Sequence, residues 1–360
     1  MFMALRYIDS CGDHYDTAHI LSKWDAQNPT GGAIAVTTGR TGNGLVITPA
    51  ASANGLVHNL AFAETGLVAG VAFKLNQLPT SNTPLFGFGD NGTYQTTVCV
   101  DVGGRMYVTT GGTTTDPFLN PAGLTPVTGA TSPGGALITN NQWYYVEMKT
   151  TFSTASAGSC VVRLGETQLF SVSGVKTASS PNSSANQFIL MGSQSFAGGN
   201  VNYFDDIYLA NLTGGTVSNF LGDRKVGVLV PSADYSVSLT PSSGSAHYML
   251  VNDSVPDEDV SYNSSATPGQ FDLYELADLP GSVSTVNGLQ SVMYARKDDG
   301  SARIISPRFS DGSTSTNGAT ISVPSSYGYR LETFDSSPVD GSALTVAKVN
   351  ALKAGITIIS

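Results

Sequence analysis

Alternation with a period of two runs along most of this chain, and no other feature limits its fold so tightly. Leu67, Ala69, Val71, Phe73 and Leu75 alternate with Val68, Gly70, Ala72 and Lys74. Tyr144, Val146, Met148, Thr150 and Phe152 take one parity, while Glu147, Lys149 and Thr151 take the other. Successive side chains of a strand point to opposite faces, so each run predicts a strand with one face turned to a core. Runs of similar length recur at 94–102, 160–164, 168–173, 187–191 and 201–210. Turn sequences separate them: Asp90-Asn91-Gly92, Gly103-Gly104, Ser132-Pro133-Gly134-Gly135 and Gly198-Gly199-Asn200. Short strands at this spacing predict an all-β sandwich rather than an α/β fold.

Composition points the same way. Only 12% of the 360 residues are charged, about half the usual share of roughly 25%. Yet 41% are hydrophobic, which supplies a core and argues against disorder. Too few Lys and Glu are present to clothe exposed helices. The length predicts two domains, and Gly214-Gly215-Thr216-Val217-Ser218 marks the boundary. We expect a first β-sandwich over residues 1–213, a linker over 214–222 and a second β-sandwich over 223–360. Beyond the linker, strands are expected at 225–230, 246–251, 270–276, 289–296, 303–309 and 327–334. One short C-terminal helix should be capped by Thr345, set Val346, Val349 and Leu352 on one face, and stop at Gly355. A weaker helical stretch falls at Asp16–Lys23. Residues 111–135, rich in Thr, Gly and Pro, predict one long surface loop.

A net charge of −10 with 17 scattered Lys and Arg argues against a nucleic-acid partner, which needs clustered cations. The apolar stretches are strand-sized, so no membrane insertion is expected. Residues 1–6 lack the positive start and long apolar region of a secretory leader, so assembly in the cytosol is expected. Cys11, Cys99 and Cys160 are far apart and odd in number. They read as buried hydrophobes, with a Cys99–Cys160 bridge as the minor alternative. Between Asp253 and Asp278 lie seven carboxylates and no Lys or Arg. A solvated acidic loop is the first reading; calcium or a basic partner is the second. The regular Asp/Asn ladder of a calcium loop is missing, so no metal ligands are assigned and no cofactor is expected.

Gly87-Phe-Gly89-Asp-Asn-Gly92 fits a dinucleotide-binding string, but Tyr94-Gln-Thr-Thr-Val-Cys-Val follows it as a strand, where that motif needs a helix N-terminus. A hairpin turn is expected instead. There is no nucleophile elbow of the GxSxG type. His14, His19, His58 and His247 lack the spacing of a ligand pair. A glycosidase needs two carboxylates about 5 to 9 Å apart, and Glu64, Glu147, Glu166, Glu275 and Glu332 each stand alone. Asp205-Asp206 are adjacent in a strand, hence on opposite faces, and a structural role is expected for them. On this reasoning the chain is not expected to be an enzyme.

The same residues carry a resemblance. Gln142-Trp-Tyr-Tyr-Val-Glu-Met-Lys149, Gly158-Ser-Cys-Val-Val-Arg-Leu-Gly165 and Asn202-Tyr-Phe-Asp-Asp-Ile-Tyr-Leu209 resemble the closing half of a concanavalin A-like, laminin-G-like jelly roll. Tyr7-Ile-Asp-Ser10 with Lys23-Trp24 resembles the start of such domains in bacteriophage virion proteins. Residues 220–234, 242–251, 292–300 and 349–356 are similar to stretches of tailed-phage structural proteins. The resemblance implies a virion component (head decoration or fibre, neck or tail) that is assembled in a bacterial host cytoplasm. Its partners would be other virion proteins and copies of itself. The alternative is a glycan-binding adhesin or receptor-binding protein that meets a host-surface glycan. Its contacts would be exposed aromatic rings, for which Tyr94, Tyr107 and Phe118 are the candidates.

Overall fold

The structure, a computed structural model, describes residues 4–28, 33–48, 55–110, 125–132, 137–179, 181–192 and 200–360. Among the described residues up to 211, fifteen strands form. They are β1 (Leu5–Asp9), β2 (Ala26–Asn28), β3 (Ile34–Thr38), β4 (Asn43–Ile47), β5 (Gly55–Glu64), β6 (Gly66–Leu75), β7 (Thr83–Asp90) and β8 (Thr93–Val100). Then follow β9 (Met106–Thr110), β10 (Thr125–Thr131), β11 (Trp143–Thr151), β12 (Gly158–Leu164), β13 (Thr167–Val175), β14 (Ala185–Met191) and β15 (Asn202–Asn211). One antiparallel sheet runs β13-β12-β11-β6-β15-β4-β3, with β1 also on β15. The facing sheet runs β10-β9-β8-β7-β14-β5-β2. Strands far apart in sequence lie side by side, which is the jelly-roll way of closing a sandwich.

The core lies between these sheets. Leu67, Ala69, Val71 and Phe73 of β6 meet Phe86, Phe88, Val98 and Phe188 across the gap. The other parity of β6 is buried too. Val68 and Ala72 pack with Tyr145, Tyr208 and Val217, and with Phe220 and Leu221 of the segment expected to be a linker. The expectation of a half-buried strand is thus corrected: a strap of chain covers its outer face. The Gly87–Gly92 string is a β7–β8 hairpin turning at Asn91 (φ +46°) and Gly92 (φ +82°). Both central residues of that turn need the left-handed region, which Asn and Gly tolerate best. All three cysteines are buried and unbridged.

After the strap come β16 (Pro231–Val237), β17 (Thr240–Pro241), β18 (Asn263–Ser264), β19 (Phe271–Leu276) and β20 (Leu289–Ala295). The last strands are β21 (Ile304–Ser310), β22 (Ser315–Asn317), β23 (Ile321–Ser322), β24 (Gly328–Phe334) and β25 (Lys353–Ile358). A sheet ordered β16-β19-β25-β21-β22, with β23 on β21, faces the β20–β24 ladder. Met293 of β20 packs with Ile305 and Ile358, and Phe334 of β24 packs with Phe309 and Leu352. This is the second, smaller sandwich.

Helix is short, as expected. Between β1 and β2 a single 3-10 turn (Thr17–His19), capped by the Asp16 carboxylate, leads into α1 (Ile20–Lys23). Near the end, α2 (Val346–Ala351) is capped by the Thr345 side chain, which accepts from the Lys348 N–H. Gly355 does not stop this helix. It lies inside β25, where a Cβ would sit 1.9 Å from the Asp272 carbonyl oxygen. Two expected strands are absent: 225–230 runs without a ladder, and 246–251 holds a 3-10 turn at His247–Leu250. Asp234 drives that turn by accepting the His247 and Tyr248 N–H groups. The expected loop at 111–135 contains β10, while 111–124 lie outside the described residues.

Candidate functional site

Two of the rings proposed as glycan contacts, Tyr94 and Tyr107, do not offer a surface. Tyr94 is 2% exposed and packs with Ile189 and Met191. Tyr107 is 8% exposed and stands opposite Cys99 in the β8–β9 ladder. Both strands are interior to their sheet, which alternation alone does not reveal. Phe118 lies outside the described residues.

What the fold does bring together is a junction between the two sandwiches, built first around buried carboxylates. Glu147 is fully buried on β11, and its Oε1 accepts the Tyr208 hydroxyl and the N–H groups of Leu221 and Gly222 at 2.9 Å each. Asp206 takes a left-handed conformation (φ +50°) at a bulge in β15. The bulge breaks the two-residue alternation. Asp205 and Asp206 therefore do not diverge to opposite faces, as the sequence suggested, but converge on Arg40. Asp205 Oδ2 accepts the N–H groups of Arg40 (2.6 Å) and Thr41 (3.1 Å). Asp206 Oδ2 receives the Arg40 guanidinium at 2.9 Å, and its Oδ1 accepts the Val226 N–H at 2.7 Å. Arg40 also reaches Asp223 and the Arg224 carbonyl, both at 2.6 Å. Burial first, and then the neighbouring Asp206, push the Asp205 carboxyl up to about 7. The strap is pinned at three points, and the Lys149 and Arg163 charges lie over the Phe220 ring, 4.8 and 4.3 Å from its centroid.

The second part of the junction is the free edge of β1. Its backbone groups are met by side chains of the β20–β24 ladder and the residue after it. Gln290 accepts the Ile8 N–H at 3.1 Å and donates to the Ile8 carbonyl at 2.9 Å. Thr333 donates to the Leu5 carbonyl at 3.0 Å, and Asp335 accepts the Ala4 N–H at 2.8 Å. Side chains stand in for a further strand. Nothing in the sequence marks Gln290, Thr333 or Asp335 for this duty, since the partner residues lie some 300 positions away.

Third, a column of rings and charges crosses the junction. Asp9 is buried and accepts the hydroxyls of Tyr7 (2.6 Å) and Tyr15 (3.1 Å). Lys23, 4% exposed, lies over the Tyr7 and Tyr329 rings and donates to His14 Nε2 at 3.0 Å. Burial first, and then the Lys23 charge, lower the His14 imidazole to about 4, so it is neutral and free to accept. Tyr329 donates to the His14 carbonyl at 2.8 Å and packs against Tyr294 with centroids 4.6 Å apart. Tyr294 stacks on Tyr327 at 5.2 Å and 10°, and Arg296 covers Tyr327. Asp259 and Glu258 of the acidic region fasten this outer end, accepting from Arg296 and the hydroxyls of Tyr327 and Tyr294. These rings stack on one another, so their faces serve the junction.

Among the described residues no group of three or more His, Cys, Asp and Glu side chains could hold a metal ion. No described helix is long and apolar enough to cross a membrane. A cavity of about 160 Å³ opens between Thr216, Val217, Asn287, Asp335 and Leu344, well below the size of most ligand sites.

No protein-family model matches the chain, and no curated protein matches it. Solved structures are similar in fold. An endo-β-1,4-glucuronan lyase from the fungus Trichoderma reesei is 15% identical with a TM-score of 0.39, over 52% of this chain and 90% of that one. An alginate lyase from Aplysia kurodai is 12% identical with a TM-score of 0.39, over 57% of this chain and 97% of that one. The binding domain of a botulinum neurotoxin of serotype D/C is 9% identical with a TM-score of 0.33, over 50% of this chain and 42% of that one. The expectation that the chain is not an enzyme is corrected by the lyases among these structures. It rested on missing carboxylate pairs, which hydrolysis of a glycosidic bond needs and elimination does not.

Proposed function

We propose that the chain is a structural component of a tailed-bacteriophage virion that works through protein–protein contacts. The observation that carries this reading is the junction. The strap is pinned at Glu147, Arg40 and Asp206, and the β1 edge is closed by Gln290, Thr333 and Asp335. Two sandwiches held this way present surfaces in a fixed relation, as a particle needs from a part that bridges neighbours. The low charge and the phage-like strings at 220–234 and 349–356 support the same reading. Assembly in several copies, and location on the particle, belong to this proposal. The neighbouring reading, adhesion to a host-surface glycan, would fall to the exposed rings of Tyr235 (44%) and Tyr262 (39%).

The test is mass spectrometry of gradient-purified particles from a host infected with a phage that encodes this chain. Several copies per particle are expected. Its absence from the particle fraction, with the chain left in the soluble lysate, overturns the reading.

A further inference from the structure

The 249–262 loop combines two things that a lone soluble protein avoids. Met249 (59% exposed), Val251 (40%), Val260 (78%) and Tyr262 (39%) are turned to water within fourteen residues. They belong to one patch, because the Ser261 Oγ lies 3.4 Å from the Leu250 carbonyl oxygen, which sets the 248–251 and 260–262 segments side by side. Around them stand Asp253, Asp257 and Glu258, all exposed. Among the described residues no Lys or Arg pairs with Asp253 or Asp257; Asp257 accepts the Ser261 hydroxyl.

The loop is also held in shape. Asp257 accepts from the Ser261 N–H and hydroxyl, and the Val260 N–H donates to the Asp257 carbonyl. Tyr262 and Ser242 exchange hydrogen bonds at 3.0 and 2.8 Å. Asp259 is clamped by Arg296 at 2.7 Å and by Tyr327 at 2.8 Å. Glu258 sits at φ +58°, a conformation that costs a non-glycine residue energy and persists only where its surroundings impose it. A flexible loop would fold its apolar groups inward; this one is prevented from doing so. Fixed apolar groups beside the Asp253 and Asp257 carboxylates are the two halves of an interface, an apolar centre and a charged border.

We propose that this loop docks a second protein whose surface offers apolar side chains bordered by lysine or arginine. Charge selects the occupant. The rim carries four carboxylates (Asp253, Asp257, Glu258 and Asp259) against the Arg296 guanidinium on Asp259, and the chain as a whole carries −10, so a surface of the opposite sign is steered to it. The proposal rests on the reading of the chain as a part that works through protein contacts, and it names the contact.

The experiment measures fluorescence anisotropy of a labelled helical peptide with leucine on one face and lysine on the other, titrated with the full chain. Wild type should bind, and more weakly as salt rises. Val260→Ser combined with Tyr262→Ser should weaken binding about tenfold or more, Asp253→Lys several-fold, and Phe62→Ser, which removes a ring 77% exposed on β5 of the first sandwich, not at all. Unchanged far-ultraviolet circular dichroism and melting of each variant exclude misfolding as the cause. Absent binding by wild type, or equal binding by the Val260/Tyr262 variant, overturns the docking surface. So does self-association of the wild type that the Val260/Tyr262 variant loses, since the occupant is then a second copy. Binding with these sensitivities, but no chain in purified particles, leaves the surface standing and removes the virion setting.

Discussion

Two buried carboxylates show how differently one side chain can be used. Glu147 spends one oxygen on three donors from the strap and Tyr208, while Oε2 meets no donor among the described residues. Glutamine keeps the accepting oxygen, so Glu147→Gln should cost no more than about 1 kcal/mol in urea unfolding. Glu147→Ala strands those donors in a buried place and should cost about 3 kcal/mol. Asp205 is instead a pH-dependent element. Its carboxyl titrates near 7 in the fold against an ordinary value of 3.8. Between those values the folded chain holds a proton that the unfolded chain has released. The contribution is therefore complete below about pH 4 and is lost as pH rises to 7, by about 2–4 kcal/mol. Unfolding free energies across this range should decline for wild type, and Asp205→Asn should remove that part of the slope. A parallel slope in the variant would refute it.

At the scale of elements, β1 is an edge strand whose open groups are covered by side chains rather than by another strand. Uncovered edges recruit other strands. Gln290→Ala with Thr333→Ala should lower stability by about 2–3 kcal/mol and produce concentration-dependent self-association in sedimentation velocity. The cap on α2 is a simpler case: Thr345→Ala should cost about 1 kcal/mol. These elements also show where alternation is informative. Leu67 to Leu75, Tyr144 to Phe152 and the turn at Asn91-Gly92 were legible because local chemistry fixes them. The 3-10 turn at His247–Leu250 was not, since Asp234 dictates it from thirteen residues away. The Asp205–Asp206 pairing was misread because a left-handed bulge reverses the parity that the rule assumes. Tyr94 and Tyr107 were misplaced for a related reason: parity gives a face, but not what covers that face.

For the molecule as a whole, the strap and the capped edge make the two sandwiches dependent on each other. A fragment of residues 1–215 loses the cover over Val68, Ala72 and Tyr208 and the caps on β1 together. It should elute as oligomers in size-exclusion chromatography with light scattering, whereas the full chain should not form such oligomers by that edge. Monomeric behaviour of the fragment would refute this. The same arrangement also sets a clock. The glutamine that covers Ile8 is made 282 residues after it, and the partner of Ala4 comes 331 residues after Ala4. At roughly 5–20 residues per second, translation leaves the first strand bare for about a quarter of a minute to a minute. During that time the growing chain depends on whatever in the cell shelters an unfinished edge. Slower elongation through the second half should thus lower the soluble yield, although the finished protein would be unchanged.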